Sequence, residues 1–241
     1  MIFGRKRQAP ESVDVEAPDV EISEDVVEDE AELLQGETPA ELTDDEPITV
    51  EAPGDWRADG PFDIEEVDLE ADQVNRLDLG SLIVTPWEGM GLQLQVQEGS
   101  KQIHAALAVW ENSGIELTLL AAPTSGGLAA ELREDLLEEA EQAGGNAVVA
   151  TGPFGPEVRR VLPAEGPNGE QLFQVARIWF AEGPRWLLRG MLMGEVGLTE
   201  GEEPAAKPFV EFFRNVVVRR GDRPMVPGEV IVMKLPQGIG E

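Results

Sequence analysis

The sequence predicts an α+β fold, with antiparallel strands in one or more sheets and two main packed helices behind a disordered acidic N-terminal tail. Three observations support this prediction. Short apolar runs separated by turn residues recur along most of the chain. Two longer segments repeat apolar residues at helical spacing. Acidic residues are concentrated near the N-terminus, where few aromatic residues occur.

The N-terminal tail is defined by its charge. The chain has 241 residues and a formal net charge of −30, and residues 11–50 hold 16 acidic and no basic residues. No aromatic residue occurs between Phe3 and Trp56. Such a segment cannot bury enough apolar surface to offset the entropy of ordering it. We therefore predict a disordered tail over residues 1–58, an α+β domain over residues 59–236 and a short C-terminal tail over residues 237–241.

The domain is predicted to contain two groups of four strands, each followed by a helix. The first group covers residues 79–85, 92–97, 103–110 and 115–122, and the second covers residues 146–151, 157–162, 171–180 and 185–193. Apolar and polar residues alternate most clearly in LQLQVQ at 92–97. Residues 229–235 are predicted to add an edge strand.

The two helices are predicted over residues 127–143 and 205–217. Leu128, Leu132, Leu136 and Ala140 form an apolar stripe on the first helix, whose opposite face is acidic. Thr124 or Ser125 is the predicted N-cap, and the two glycines at 144–145 supply the stop. The second helix has a stripe of phenylalanines at positions 209, 212 and 213.

A repeated pattern indicates an internal ββββα duplication. Trp110 is followed four residues later by Gly114, and Trp179 is followed four residues later by Gly183. Both turns connect predicted strands that lead into a helix.

Several chemistries lack the residues that they require. There is no Cys, which excludes disulfides, thiolate metal sites and a cysteine nucleophile. His104 is the only histidine and lies in a strand pattern, where a surface position is its ordinary role. No phosphate-binding loop, nucleophile elbow or calcium loop is present, so we expect no cofactor and no catalytic residue. No apolar run is long enough to span a membrane.

Basic residues are concentrated in the second half of the domain. From residue 159 onward the chain holds 11 of the 14 basic residues found after residue 70. We predict a partner-binding patch there, because Arg and Trp are enriched in binding hot spots. The candidate residues are Arg159, Arg160, Arg185, Trp186, Arg189, Arg219 and Arg220. The alternative for the tryptophans is burial in the core, and for the last two arginines it is an interaction with a helix C-terminus.

Three groups of residues carry a family resemblance: GPFDIEEVD with the following DLGSLIVTP, then GPFGPEVRR, then GPRWLLRGMLMG with FFRNVVVRRG. They resemble the actinobacterial domain-of-unknown-function family 3710 over residues 59–236. This resemblance implies no activity, because the family has none assigned. The second half is also weakly similar to the Mog1/PsbP-like fold, whose members mostly bind partners and are not enzymes.

The sequence favours a cytoplasmic, non-catalytic protein-interaction module with a regulatory or solubilising acidic tail. The partner is expected to be an unknown protein, and the pI near 4.2 argues against direct nucleic-acid binding. Two alternatives remain. One is a carboxylate- or metal-dependent hydrolase, since converging carboxylates can bind a divalent ion. The other is an acidic mimic of nucleic acid that binds a DNA-binding protein.

Overall fold

The fold is given by a computed structural model that describes residues 20–23, 34–35, 56–97, 102–167, 169–199 and 204–235. The strands are β1 (Val20–Ser23), β2 (Leu34–Gln35), β3 (Phe62–Asp63), β4 (Leu77–Asp78), β5 (Leu82–Val84), β6 (Gly91–Gln97), β7 (Gln102–Trp110), β8 (Ser113–Ala121), β9 (Asn146–Gly152), β10 (Gly155–Glu165), β11 (Gln171–Gly183), β12 (Trp186–Gly194) and β13 (Val217–Val218). The helices are α1 (Leu128–Gln142) and α2 (Lys207–Arg214), and 3-10 turns cover Ile64–Glu66 and Glu195–Leu198.

A large sheet forms the centre of the domain. Its strand order is β1-β6-β7-β8-β12-β11-β10-β9, and β2 pairs with the start of β11. Every pairing in this sheet is antiparallel except that of β1 with β6. A smaller sheet has the order β3-β13-β5-β4. The predicted α+β class is therefore confirmed.

The two faces of the large sheet are buried by different elements. One face, which we call the α2 face, packs against α2 and the small sheet around Trp179, Trp186 and Phe213. The opposite face, the α1 face, is covered by α1 over β9, β10 and β11, with Leu136 and Ile178 in its core. Because side chains alternate along a strand, neighbouring residues of β12 and β11 serve opposite cores.

The structure differs from the predicted elements at three places. Of the predicted strand over 79–85, only residues 82–84 form a strand, β5, because residues 79–81 form a turn that joins β5 to β4. The predicted helix over 205–217 ends at Arg214, since Val217–Val218 pairs with β5 and β3. Residues 229–235 make only isolated bridges, through Val230 and Met233, in place of an edge strand. The internal duplication stays a prediction.

The N-terminus of α1 is capped differently from the prediction. Neither Thr124 nor Ser125 is the N-cap, which is Gly127 with a φ of 97° and no side chain to donate or accept. The carboxylate of Glu182, at the end of β11, accepts hydrogen bonds from the Gly127 N–H at 3.2 Å and the Ala129 N–H at 3.0 Å. This carboxylate also complements the positive end of the helix dipole. The cap therefore comes from a residue 55 positions away in the sequence.

The tail contacts the domain where it is described. The pairings of β1 and β2 place two short tail segments in the large sheet, and the rest of the tail before residue 56 lies outside the described residues. Trp56 lies against Gly155, where an added Cβ would come within 3.1 Å of the indole. Disorder over residues 1–58 and the boundaries of the domain stay predictions. In the part of the chain that is described, no helix is long and apolar enough to cross a membrane.

Candidate functional site

Three arginines from two loops meet at one end of the large sheet. Arg185 lies in the turn between β11 and β12, and Arg220 and Arg223 follow β13. We call Arg185, Arg220 and Arg223 the arginine cluster. Arg220 joins the two loops, because its Nε donates to the Arg185 carbonyl at 3.2 Å and its Nη1 donates to the carbonyls of Gly221 and Arg223. The sequence prediction included the first two of these arginines in its site and left out Arg223.

Arg185 occupies a backbone position that favours glycine. Its φ is 60°, and it follows Pro184 in a two-residue turn closed by the Gly183–Trp186 pair. A proline followed by a residue with positive φ is the pattern of a type II turn, in which the second position is normally Gly or Asn. A left-handed conformation costs a residue with a Cβ about 1–2 kcal/mol. The chain therefore has an exposed arginine at position 185, where a glycine would make the protein more stable.

Arg185 and Arg223 are available to a ligand. Both residues are exposed, and neither side chain forms a hydrogen bond or ion pair with another described residue. Asp222 is the acidic residue between the cluster's two C-terminal members, and it is also exposed. The cluster therefore keeps a local positive charge on a chain whose overall charge is −30.

Trp186 supports the cluster from beneath and does not face solvent. Its side chain is fully buried, and its Nε1 donates to Asp63 Oδ2 at 2.7 Å. The guanidinium of Arg57 lies 5.4 Å from the centre of the Trp186 ring and forms a bidentate ion pair with Glu66. This ion pair holds the pKa of the Glu66 carboxyl below its ordinary value. The structure thus corrects the assignment of Trp186 to a partner-contacting surface.

Arg219 lies beside the cluster but is already engaged. Its Nη1 donates to both carboxylate oxygens of Asp78 at 2.9 Å and to the Gly80 carbonyl at 2.9 Å. Its backbone N–H donates to the Ser81 carbonyl. Arg219 therefore ties the end of β13 to the turn between β4 and β5.

The remaining candidates lie elsewhere on the large sheet. Arg159 is on the α2 face, and its Nε donates to Glu157 Oε1 at 3.0 Å. Arg160 and Arg189 are on the α1 face, where Arg160 contacts the Met191 sulfur at 3.8 Å and Arg189 donates to Thr118 Oγ1 at 3.3 Å. The seven predicted residues therefore do not form one patch, and only Arg185 and Arg220 combine with Arg223.

A buried ionic network on the α2 face was not predicted from the sequence. Glu157 and Arg177 are 1% and 0% exposed, and Arg177 Nε and Nη2 donate to the two carboxylate oxygens at 3.0 and 2.9 Å. Trp179 Nε1 also donates to Glu157 at 2.7 Å, and Arg177 Nη1 donates to Thr199. A carboxylate that is enclosed and fully bonded in this way positions strands and offers no access to a substrate.

The described residues contain no cluster of metal-ligating side chains. No group of three or more His, Asp or Glu side chains there could hold a metal ion. His104, the histidine of β7, is half-buried, and its Nδ1 has no hydrogen-bond partner among these residues.

Comparison with known families gives the chain its classification. Residues 60–241 match the family described as "Protein of unknown function (DUF3710)". The chain belongs to this family. The predicted resemblance to the DUF3710 family is therefore confirmed over most of the chain.

Other comparisons add little to the DUF3710 assignment. No match was found among curated proteins. One solved structure is similar to the chain, the solution structure of the cyanobacterial PsbP protein (CyanoP) from Synechocystis sp. PCC 6803. The identity is 9%, the match covers 60% of this chain and 92% of that chain, and the TM-score is 0.32. A likeness at this level carries no argument.

Three of the segments that resemble the DUF3710 family meet at the arginine cluster. GPFDIEEVD supplies Asp63, GPRWLLRGMLMG supplies Arg185 and Trp186, and FFRNVVVRRG supplies Arg219 and Arg220. The hydrogen bonds from Trp186 to Asp63 and from Arg220 to Arg185 join the three segments directly.

Proposed function

We propose that this chain is a non-catalytic interaction module that binds an acidic polypeptide segment of a partner protein through the arginine cluster. The observation that carries the proposal is Arg185, which is exposed and free of described partners in a positive-φ position. Backbone strain of this kind persists where the surrounding structure imposes it and is concentrated at functional sites. A cytoplasmic location, predicted from the sequence, is part of the same proposal.

Arginine chemistry suits this ligand. The planar guanidinium presents a fork of N–H donors that matches a carboxylate. Arg220 fixes the separation of the two loops by bonding to backbone carbonyls of both, so the Arg185 and Arg223 side chains start from anchored backbones. The acidic remainder of the chain repels polyanions in general, which leaves the cluster as a local exception to the overall charge.

Binding of a fluorescein-labelled hexaglutamate peptide, followed by fluorescence anisotropy at low salt, tests this proposal. We expect Arg185→Gly to weaken binding about three- to fivefold, the range of an exposed ion pair, while protein stability stays unchanged or rises. Arg223→Gln should weaken binding to a similar extent. Lys207→Gln is the matched control, because this exposed lysine begins α2, at the opposite end of that helix from β13.

The Lys207→Gln control separates a direct contact with the arginine cluster from the effect of a change in net charge. Equal affinity of Arg185→Gly and the wild type would overturn the proposal. Equal weakening by Lys207→Gln would also overturn it, since net charge would then explain the loss without any contribution from the cluster.

A further inference from the structure

The large sheet ends in a strand whose outer side is unpaired. β9 is the last strand in the sheet order, and its pairing with β10 covers residues 146–152 without a register shift. The sequence of β9, NAVVATG, contains no proline and no charged residue. Soluble proteins normally protect an edge strand with charged side chains, proline or a bulge. Because β9 has none of these, its outer side is suited to pairing with another strand.

Pro156 shows which backbone groups of β9 point outward. It lies opposite Thr151 and has no N–H, so the two residues cannot exchange a pair of hydrogen bonds. Hydrogen-bonded and non-hydrogen-bonded pairs alternate along an antiparallel ladder. Ala147, Val149 and Thr151 therefore direct their N–H and C=O groups away from β10, and none of these groups has a partner among the described residues. We call the outer side of these three residues the β9 edge.

Acidic side chains of α1 flank the β9 edge. The helix packs over β9, β10 and β11, and the Arg133 guanidinium lies 5.8 Å from the ring centre of Phe180 on β11. Glu131, Asp135 and Glu138 share the opposite side of the helix, since an α-helix has 3.6 residues per turn. All three are exposed, and we call them the acidic stripe. Because the strand order is β11-β10-β9, the side of α1 that faces away from β11 faces the β9 edge.

The spacing of the acidic stripe matches that of a β-strand. Its members are four and three residues apart, which corresponds to a rise of about 6 Å and about 4.5 Å along a helix. Alternate side chains of a strand point to the same face and are about 6.6 Å apart. A strand added to the β9 edge therefore places every second side chain close to a carboxylate of α1. Lys or Arg at these positions forms ion pairs with the stripe.

We propose that the β9 edge binds an extended segment of a partner protein that carries Lys or Arg at every second position. Backbone hydrogen bonds to Ala147, Val149 and Thr151 hold the segment, and the acidic stripe selects its charge. A second copy of the chain is disfavoured as the occupant, because pairing two β9 strands brings together two acidic stripes and two chains of net charge −30. This surface shares no residue with the arginine cluster and takes a ligand of the opposite charge.

Fluorescence anisotropy with a fluorescein-labelled heptapeptide of alternating Lys and Val tests the proposal at about 0.15 M salt, where the Debye length is about 8 Å. A heptapeptide of alternating Lys and Pro is the matched control, because it has the same charge and lacks every second N–H. We expect this control to bind at least about tenfold more weakly, since it cannot complete the backbone pairing. Equal affinities would overturn the proposal, because charge alone would then explain the binding.

A proline in β9 tests the same pairing from the side of the protein. Val149→Pro removes one outward N–H and leaves the hydrogen bonds between β9 and β10 in place. We expect it to weaken binding of the Lys-Val peptide about tenfold, while Val149→Ala, which keeps the N–H, changes the affinity less than about twofold. Thermal unfolding checks that both variants fold, and Thr151→Pro, at an exposed position, replaces Val149→Pro if that variant does not. Unchanged affinity in a folded proline variant would overturn the proposal.

The role of the acidic stripe has its own pair of variants. Glu131→Gln/Asp135→Asn should weaken binding of the Lys-Val peptide about fivefold, the range of two exposed ion pairs. Glu134→Gln/Glu141→Gln removes the same charge from exposed positions outside the stripe and should change the affinity less than about twofold. Equal losses in the two variants would overturn the selection of charge by the stripe.

Hydrogen exchange followed by NMR locates the contact. In the free protein we expect the amides of residues 147, 149 and 151 to exchange faster than those of 148 and 150, which bond to β10. The Lys-Val peptide should slow exchange of the first group at least about tenfold. Protection by the peptide at other amides would overturn the proposal. Dimers of the wild type in sedimentation that Val149→Pro abolishes would also overturn it, since the β9 edge would then bind a second copy.

Discussion

The carboxylate of Glu157 accepts four hydrogen bonds from three side chains. Two come from Arg177, one from Arg159 and one from Trp179. Gly152 lies so close that an added Cβ would come within 2.5 Å of the same carboxylate. A buried ion pair gains stability only when its geometry is good and its remaining donors and acceptors are satisfied. This network therefore fixes how β9, β10 and β11 align at the core of the α2 face.

Glu157→Gln is expected to destabilise the protein by about 3–5 kcal/mol, because it leaves the buried Arg177 charge uncompensated. Urea unfolding gives this value. The matched comparison is Asp78→Asn, which breaks the exposed pair with Arg219 and should cost less than about 1 kcal/mol. Similar losses for both variants would contradict the structural role given to Glu157.

The Arg57–Glu66 ion pair makes stability depend on pH. Since the pKa of Glu66 is below its ordinary value of 4.5 in the folded state, the pair stabilises the protein above that pH. The stabilisation is lost as pH falls through the folded-state pKa. We expect Glu66→Gln to be less stable than the wild type at neutral pH and equally stable in acid. Thermal unfolding of both proteins from pH 7 to pH 3 measures the difference in their stability. A difference that does not change with pH would contradict the role given to the Arg57–Glu66 ion pair.

Individual residues were predicted less well than elements, and the reason is physical. The spacing of Glu157 and Arg159, or of Arg177 and Trp179, shows that each pair shares one face of a strand. Whether that face is buried depends on α2 and the small sheet, which come from distant parts of the chain. Trp186 is buried for the same reason, and so the sequence could not separate its two alternatives.

At the scale of elements, the turn chemistry of α1 shows what local reasoning can miss. Thr124 and Ser125 are good N-cap residues by type. The chain places Gly126 and Gly127 after them in left-handed conformations, with φ values of 71° and 97°, and Gly127 takes the N-cap position. The free N–H groups at the helix start therefore donate their hydrogen bonds to the carboxylate of Glu182 from β11.

Glu182→Ala is expected to destabilise the protein by about 1 kcal/mol, the usual cost of losing an N-cap. Thr124→Ala and Ser125→Ala serve as controls and should change the free energy of unfolding by less than about 0.5 kcal/mol. Chemical denaturation measures the free energy of unfolding of all three variants. If either control loses more stability than Glu182→Ala, then Thr124 or Ser125 caps the helix, as the sequence predicted.

Strands and helices were predicted accurately where the hydrophobic period was clear. The predicted strands over 92–97 and 103–110 match β6 and β7 within one residue at each end. The order of strands in the sheet was not predictable, since it depends on pairing β8 with β12 across the intervening helix and meander. Small-sheet pairings of two or three residues are similarly too short to leave a period in the sequence.

At the scale of the whole molecule, charge is unevenly distributed. Residues 11–50 carry 16 of the 48 acidic residues, while the arginine cluster gathers cations from the last third of the chain. The sequence predicted this asymmetry and a partner-binding patch among the basic residues. The sequence could not predict which arginines form the cluster, because Arg185 and Arg220 come together only when the β11–β12 turn packs against the end of β13.

The proposed role of the arginine cluster is tested most directly by mapping where an acidic peptide binds on the protein. Adding hexaglutamate to the ¹⁵N-labelled protein and recording amide chemical shifts locates the contact residue by residue. The account predicts that the largest shifts occur at 183–186 and 219–223, and that they vanish in high salt. Shifts centred on α1, on β9 or spread evenly over the domain would contradict the claim that the arginine cluster is the binding site.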